Sequence, residues 1–199
     1  IKNLTVSDAV YGGGHTVSDA VYGEHTDGIS GNENVGGIAG FAVGTSFENC
    51  INQVAVSGNE NVGGIAGYAI ATSFENCSNQ AEVNGTKYVG GISGYASNNT
   101  SFENCINQAD VSGTTYVGGL VGYGIKFTAE ACTNEGDITG MGQYICGTAG
   151  SAMQTSTFKD CLNKGEVKSS GEGIGGIAGY LSPGVQLNKC RNNKEGSVS

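Results

Sequence analysis

Residues 45–53 read TSFENCINQ, the motif returns as TSFENCSNQ from Thr72 and as TSFENCINQ from Thr100, and its cysteine keeps recurring after the rest of the copy has drifted. Cys50, Cys77, Cys105, Cys132, Cys161 and Cys190 stand 27, 28, 27, 29 and 29 residues apart. A period of this length is the signature of stacked structural repeats rather than of one globular core. The same register aligns Val35, Val62, Val89, Val117, Ile145 and Ile174 as heads of glycine-rich segments: VGGIAGF, VGGIAGY, VGGISGY, VGGLVGY, ICGTAGS and IGGIAGY. Each repeat closes on Val56, Val83, Val111, Ile138 or Val167.

Helical repeats are incompatible with this pattern. Three glycines in each seven-residue segment would cost a helix roughly 2–3 kcal/mol per repeat. A leucine-rich horseshoe shares the period, but the chain has only five Leu and no segment to supply a convex helix. The remaining solution is all-β: a right-handed parallel β-helix, or β-solenoid, of about six to seven coils of 27–29 residues. Equivalent residues of successive coils then lie about 4.8 Å apart and form ladders, which explains why one residue type is reused at one phase.

Six cysteines make one expected ladder. Asn52, Asn79, Asn107, Asn134, Asn163 and Asn192, each two residues after its Cys, make another. Asn tolerates left-handed backbone, and its amide both donates and accepts, so stacked copies can hold a sharp corner. Phe47, Phe74, Phe102 and Phe158, continued by Leu187, form a third series; Phe41, Tyr68, Tyr95, Tyr123 and Tyr180 form a fourth, facing either way. The paired glycines, such as 63–64 and 90–91, mark a tight bend or a close approach of strands. The apolar spacing of three in Val62/Ile65 and Phe74/Cys77 requires a bend within each segment.

Two domains are expected: an irregular coil or cap over 1–28, where TVSDAVYG occurs twice 11 residues apart, and one continuous array over 29–199. With neither an initiating Met nor a leader, and with RNNKEGSVS stopping part-way through a repeat, the segment reads as excised from a longer protein with further domains.

VGGIAGY, VGGISGY and VGGLVGY, followed by ENC-x-N and V-x-G, resemble the GLUG-type repeats of bacterial cell-surface proteins, which include adhesin-like proteins and regions attached to IgA-cleaving peptidases. The resemblance covers residues 29–198 and implies an extracellular stalk or adhesion module. It departs at ICGTAGS, where Cys146, Thr148 and Ser151 replace a glycine, an apolar residue and an aromatic one. No H-E-x-x-H sequence is present, so no peptidase activity carries over.

Few constellations point to chemistry. The balance of 18 acidic against 9 basic residues, a net charge of −9, disfavours nucleic acid and anionic lipid. No run approaches the roughly 18 apolar residues of a membrane span. The cysteines read as core thiols, with disulfides or a metal as alternatives, and Cys146, outside the ladder, as a candidate exposed thiol or a plain glycine substitute. Glu48, Glu75, Glu103 and Glu130 form one acidic row; Glu82, Asp110, Asp137 and Glu166 form a second, a possible surface binding site. Both read as solvated faces, with Ca²⁺ the one cofactor considered. His15 and His25, with Asp8 and Asp19, read as loop or cap residues. Thr45-Ser46, Thr72-Ser73 and Thr100-Ser101 read as turn chemistry rather than an ice-binding array. With one Arg and no close Asp pair, the chain reads as non-catalytic. The expected role is a rigid extracellular or cell-surface module that spaces, presents or adheres, with a host surface protein or glycan as partner. The alternative is a glycan-binding or glycan-acting β-helix whose tyrosines stack on sugars.

Overall fold

The computed structural model describes residues 5–6 and 28–193. All regular elements among them are short parallel strands, arranged in five sheets that run the length of a β-solenoid of about six turns. One coil shows the plan: Lys87–Gly90, Ser93–Ser97, Ser101–Glu103, Ile106–Asn107 and Val111–Gly113 each belong to a different sheet. Each strand pairs in register with its counterparts one coil before and after, as in Phe47↔Phe74↔Phe102 and Val56↔Val83↔Val111.

Strands of two to five residues are too short to be stable alone. What holds them is the interior, where each coil contributes one residue per phase. In the coil above these are Val89, Ile92, Ala96, Thr100, Phe102, Cys105, Asn107 and Val111, all buried. Phe47, Phe74 and Phe102 stack with centroids 4.9 Å apart.

The corners use left-handed backbone. Asn49, Asn76, Asn104, Ala131, Asp160 and Lys189, each just before the cysteine, have φ of 51–53°. The expectation that the Asn52 series would take this conformation is therefore corrected: that series lies in the strands after the corner, and the residue three positions earlier makes the turn. A second left-handed column, Asn34, Asn61, Tyr88, Tyr116, Tyr144 and Gly173, stands just before the Val or Ile that heads each glycine segment, whereas the bends demanded by the spacing of three fall at Gly64, inside Val62/Ile65, and at Asn76, inside Phe74/Cys77. The paired glycines mark both, a bend at the second glycine of each pair and a close approach of the neighbouring coil. A Cβ on Gly91 would lie 2.2 Å from the Gly119 carbonyl oxygen and 2.4 Å from Asn107 Cγ.

One coil breaks the ladders and repairs itself. Ala129 stands where the neighbouring coils carry Phe102 and Phe158. Phe127, two residues earlier on the same strand face and at the phase of Thr100, returns a ring to the interior. It meets Phe102 and Phe158 edge-to-face at 6.1 and 5.2 Å. Gly124 replaces the alanine of that column, and a Cβ there would lie 2.2 Å from Phe127 Cε1. Three substitutions thus keep one ring in the layer and make room for it at its new place.

At the N-terminal side, Thr5–Val6 pairs with Ile51–Asn52, and Ile29–Ser30 with Val56–Ser57. Twenty-two residues, 7–28, connect these two strands, where three, 53–55, suffice one coil later. Apart from Thr5–Val6, the 11-residue duplication, with His15, His25, Asp8 and Asp19, lies outside the described residues.

Candidate interaction face

All seven tyrosines among the described residues stand on one outer face, whereas the fully buried rings are all Phe. Burying Tyr inside the coil would strand its hydroxyl; on the outside the ring packs while the hydroxyl stays wet. The open question of which way this series faces is thereby answered.

The face has two aromatic columns. In the first, Phe41, Tyr68, Tyr95 and Tyr123 stack in sequence with centroids 5.2, 4.4 and 5.5 Å apart and interplanar angles of 16°, 6° and 21°. Such stacking at the strand spacing turns the ring normals along the solenoid axis, so these rings present edges outward. Their inner members have no free face for a sugar ring. The second column is the left-handed one, with Tyr88, Tyr116 and Tyr144 at φ of 56°, 55° and 61°. This conformation costs a non-glycine residue roughly 1–2 kcal/mol, a cost that Asn34, Asn61 and Gly173 in the same column largely avoid.

Tyr88 stands at 76° to Tyr95, and Tyr116 at 83° to Tyr123. Because Tyr68 and Tyr123 cover both faces of Tyr95, the edge of Tyr95 meets a face of Tyr88. Within the second column Tyr88 is tilted by 42° to Tyr116 at 5.2 Å, and Tyr116 and Tyr144 stack with an interplanar angle of 28°, so these rings partly cover one another. Tyr144 follows Tyr116 at 5.0 Å and reaches Tyr180 at 5.6 Å, bridging the coil where Ser151 interrupts the first column. One face of Tyr88 is occupied: Lys87 Nζ sits 4.3 Å above the ring centroid while donating to Glu60 Oε1 at 2.9 Å. Burial, reinforced by Tyr68, pushes the Tyr95 hydroxyl up to about 12, and burial also raises Tyr116 and Tyr123. The phenols stay neutral donors and acceptors at physiological pH.

The residues singled out from sequence serve mainly the interior. Five amide-to-amide hydrogen bonds of 2.7–2.8 Å run Asn52→Asn79→Asn107→Asn134→Asn163→Asn192. Each donor amide also reaches the carbonyl two residues ahead, as Asn107 Nδ2 does to Ala109 at 2.7 Å. Cys50, Cys77, Cys105, Cys132 and Cys161 are buried, Cys190 is partly so, and no disulfide forms. Their thiols donate to backbone carbonyls, as Cys105 Sγ does to Phe74 and Glu103 at 3.5 Å. A hydrogen bond to Cys105, with burial, pushes Cys77 up to about 12. Cys146 is fully buried, which corrects its reading as an exposed thiol; it fills space where neighbouring coils carry glycine, and burial pushes it up to about 12.

In the second acidic row, the Asp110 carboxylate accepts the backbone N–H of Asp137 at 2.9 Å, and that of Asp137 accepts the N–H of Glu166 at 2.8 Å. These carboxylates staple coil to coil. Glu166 pairs with Lys168, and in the first row Glu130 pairs with Lys159. Among the described residues, no group of three or more His, Cys, Asp or Glu is placed to hold a metal ion. The buried Thr72 and Thr100 hydroxyls donate to Ile70 and Ser97 carbonyls at 2.9 and 2.7 Å, which is turn chemistry. Sequence reasoning missed the second tyrosine column, although its signal was present: Tyr88, Tyr116 and Tyr144 each immediately precede the Val or Ile that heads the glycine segment.

Comparison with curated proteins and with solved structures returned no significant match. The family model of the GLUG motif matches residues 58–84, one full coil from the Gly58 turn to the Val83–Asn84 strand, so the chain carries a GLUG repeat where the resemblance implied one.

Proposed function

We propose that this array is a non-catalytic module that presents rigid faces at a bacterial cell surface, outside the membrane, as part of a larger adhesive protein. The observation that carries this reading is the unbroken register of all five sheets through successive coils. Each coil spends about 28 residues on a rise of about 4.8 Å, whereas the same residues extended would span roughly 90 Å. Such a structure is inefficient as a tether and well suited to holding side chains in fixed rows, which favours presentation and adhesion over spacing. Its negative charge keeps such surfaces soluble and apart. The test is antibody labelling of intact producing cells before and after surface proteolysis. Labelling of intact cells that proteolysis removes is the expected outcome; labelling only after permeabilisation would refute the assignment.

A further inference from the structure

We infer that the outer face of the sheet containing Ala66–Ile70, Ser93–Ser97 and Val121–Ile125 is a self-association surface, on which a second copy of this chain packs through the same face. Alternate side chains of each strand point outward and build two columns. One is the stack that runs from Phe41 to Tyr123 with its ring edges outward; the other, two residues further on, is Val43, Ile70, Ser97, Ile125 and Met153. Where Ser151 interrupts the rings, Met153, the longest side chain of the second column, continues the apolar cover. Neither column carries a charge from residue 41 to residue 182, and nor does the adjoining column of Tyr88. The next sheet of each coil obeys the same alternation with the opposite outcome, since its outward positions are Ser46 and Glu48, Ser73 and Glu75, Ser101 and Glu103. Phe41 is 39% exposed, Val43 55% and Tyr180 40%, and a contiguous apolar strip of this kind marks an interface rather than ordinary solvated surface.

Three observations favour a second copy as the occupant. Each chain carries a net −9, and carboxylates line the neighbouring sheet and the Asp110–Asp137 row, so this strip lets two copies meet without bringing those rows together. The face is self-complementary in shape. The rings make a ridge and the shorter Val43, Ile70, Ser97 and Ile125 a furrow beside it, so a two-fold axis parallel to the solenoid seats the ridge of each copy in the furrow of the other. Both copies share the strand spacing of about 4.8 Å, which repeats that contact coil after coil. The size agrees as well. About six turns rise roughly 29 Å and the three columns span roughly 15–20 Å, so about 500 Å² of each copy is covered, near the lower limit of a specific interface. The inference goes beyond surface presentation and fails separately from it, since an array can stand on a cell as a monomer.

The test is sedimentation velocity of the full chain from about 1 to 500 μM, where an interface of this size is expected to give a reversible monomer–dimer equilibrium in the micromolar range. Raising NaCl to about 1 M should strengthen the dimer, because salt screens the repulsion between like-charged chains. Ile70→Lys/Ile125→Lys makes the chain less negative yet should weaken dimerisation at least about tenfold, because it desolvates two ammonium groups per copy. Ser73→Lys/Ser101→Lys, the same charge change on the polar sheet, should dimerise at least as well as the parent. Val43→Lys, at a position already more than half exposed, should weaken the dimer by about threefold and keeps the test decisive if the double Ile variant folds poorly. A monomer at every concentration in both salts, face variants that dimerise like the parent, or equal loss in the Ser73/Ser101 variant would overturn the site. So would binding of cellohexaose or of phosphatidylcholine vesicles by a chain that stays monomeric, which would give the face another occupant.

Discussion

Gly124→Ala is the sharpest test of the packing. The new methyl would lie 2.2 Å from Phe127 Cε1 and 2.4 Å from Cδ1, against an ordinary carbon contact of about 3.5–4.0 Å. Phe127 cannot yield by the required distance of about 1.3 Å or more, because Phe102 and Phe158 meet it edge-to-face from the coils on either side. Overpacking of this kind costs roughly 1–3 kcal/mol, and removing a strand glycine returns roughly 0.5–1 kcal/mol, so the net effect is a loss of about 1–2 kcal/mol. Phe127→Thr alone empties a fully buried site and should cost about 3–4 kcal/mol; Ala129→Phe alone adds a ring beside Phe127 and should cost about 1–3 kcal/mol. The triple variant Gly124→Ala/Phe127→Thr/Ala129→Phe reproduces the neighbouring coil's Ala96, Thr100 and Phe102, and is expected within about 1 kcal/mol of the parent. Thermal unfolding followed by circular dichroism resolves this, since each 1 kcal/mol moves the midpoint by about 2–4 °C in a chain of this size. A triple variant destabilised by the sum of its parts, or a Gly124→Ala variant as stable as the parent, would refute the exchange.

The remaining expectations concern the columns. Asn107→Ala removes three buried hydrogen bonds, to Asn79, Ala109 and Asn134, and should lower stability by about 3–5 kcal/mol in denaturant unfolding, whereas Gln108→Ala on the exposed side should cost less than about 0.5 kcal/mol. In native labelling with a thiol reagent at pH 8, Cys190 should react first and Cys146 only on unfolding, because Cys190 alone is partly exposed and burial holds Cys146 protonated; rapid labelling of Cys146, located by peptide mapping, would contradict this. The ion pair with Lys164 holds the Glu135 carboxyl below its ordinary 4.5. Its contribution is therefore complete above about pH 4.5 and disappears as pH falls through the lower folded-state value. Both side chains are more than one-third exposed, so Lys164→Met should reduce that acid-side slope by less than about 1 kcal/mol, read from melting midpoints between pH 3 and pH 7.

The recurrence of Cys50 through Cys190 was enough to place equivalent residues on top of one another, because a fixed period in a stacked array decides which residue meets which. The asparagine amide ladder, the Phe47–Phe74–Phe102 stack and the absence of any reason for helices follow from that single register. The direction each residue faces did not follow. Strand alternation is interrupted by left-handed corners at Asn49 and Asn61 and their equivalents, and corners of this kind change inward to outward without leaving a two-residue rhythm in the sequence. The tyrosine face, the burial of Cys146 and the exchange among Gly124, Phe127 and Ala129 were decided there. Each depends on how much room the coils above and below leave at one phase, and that room exists only once the coils are stacked.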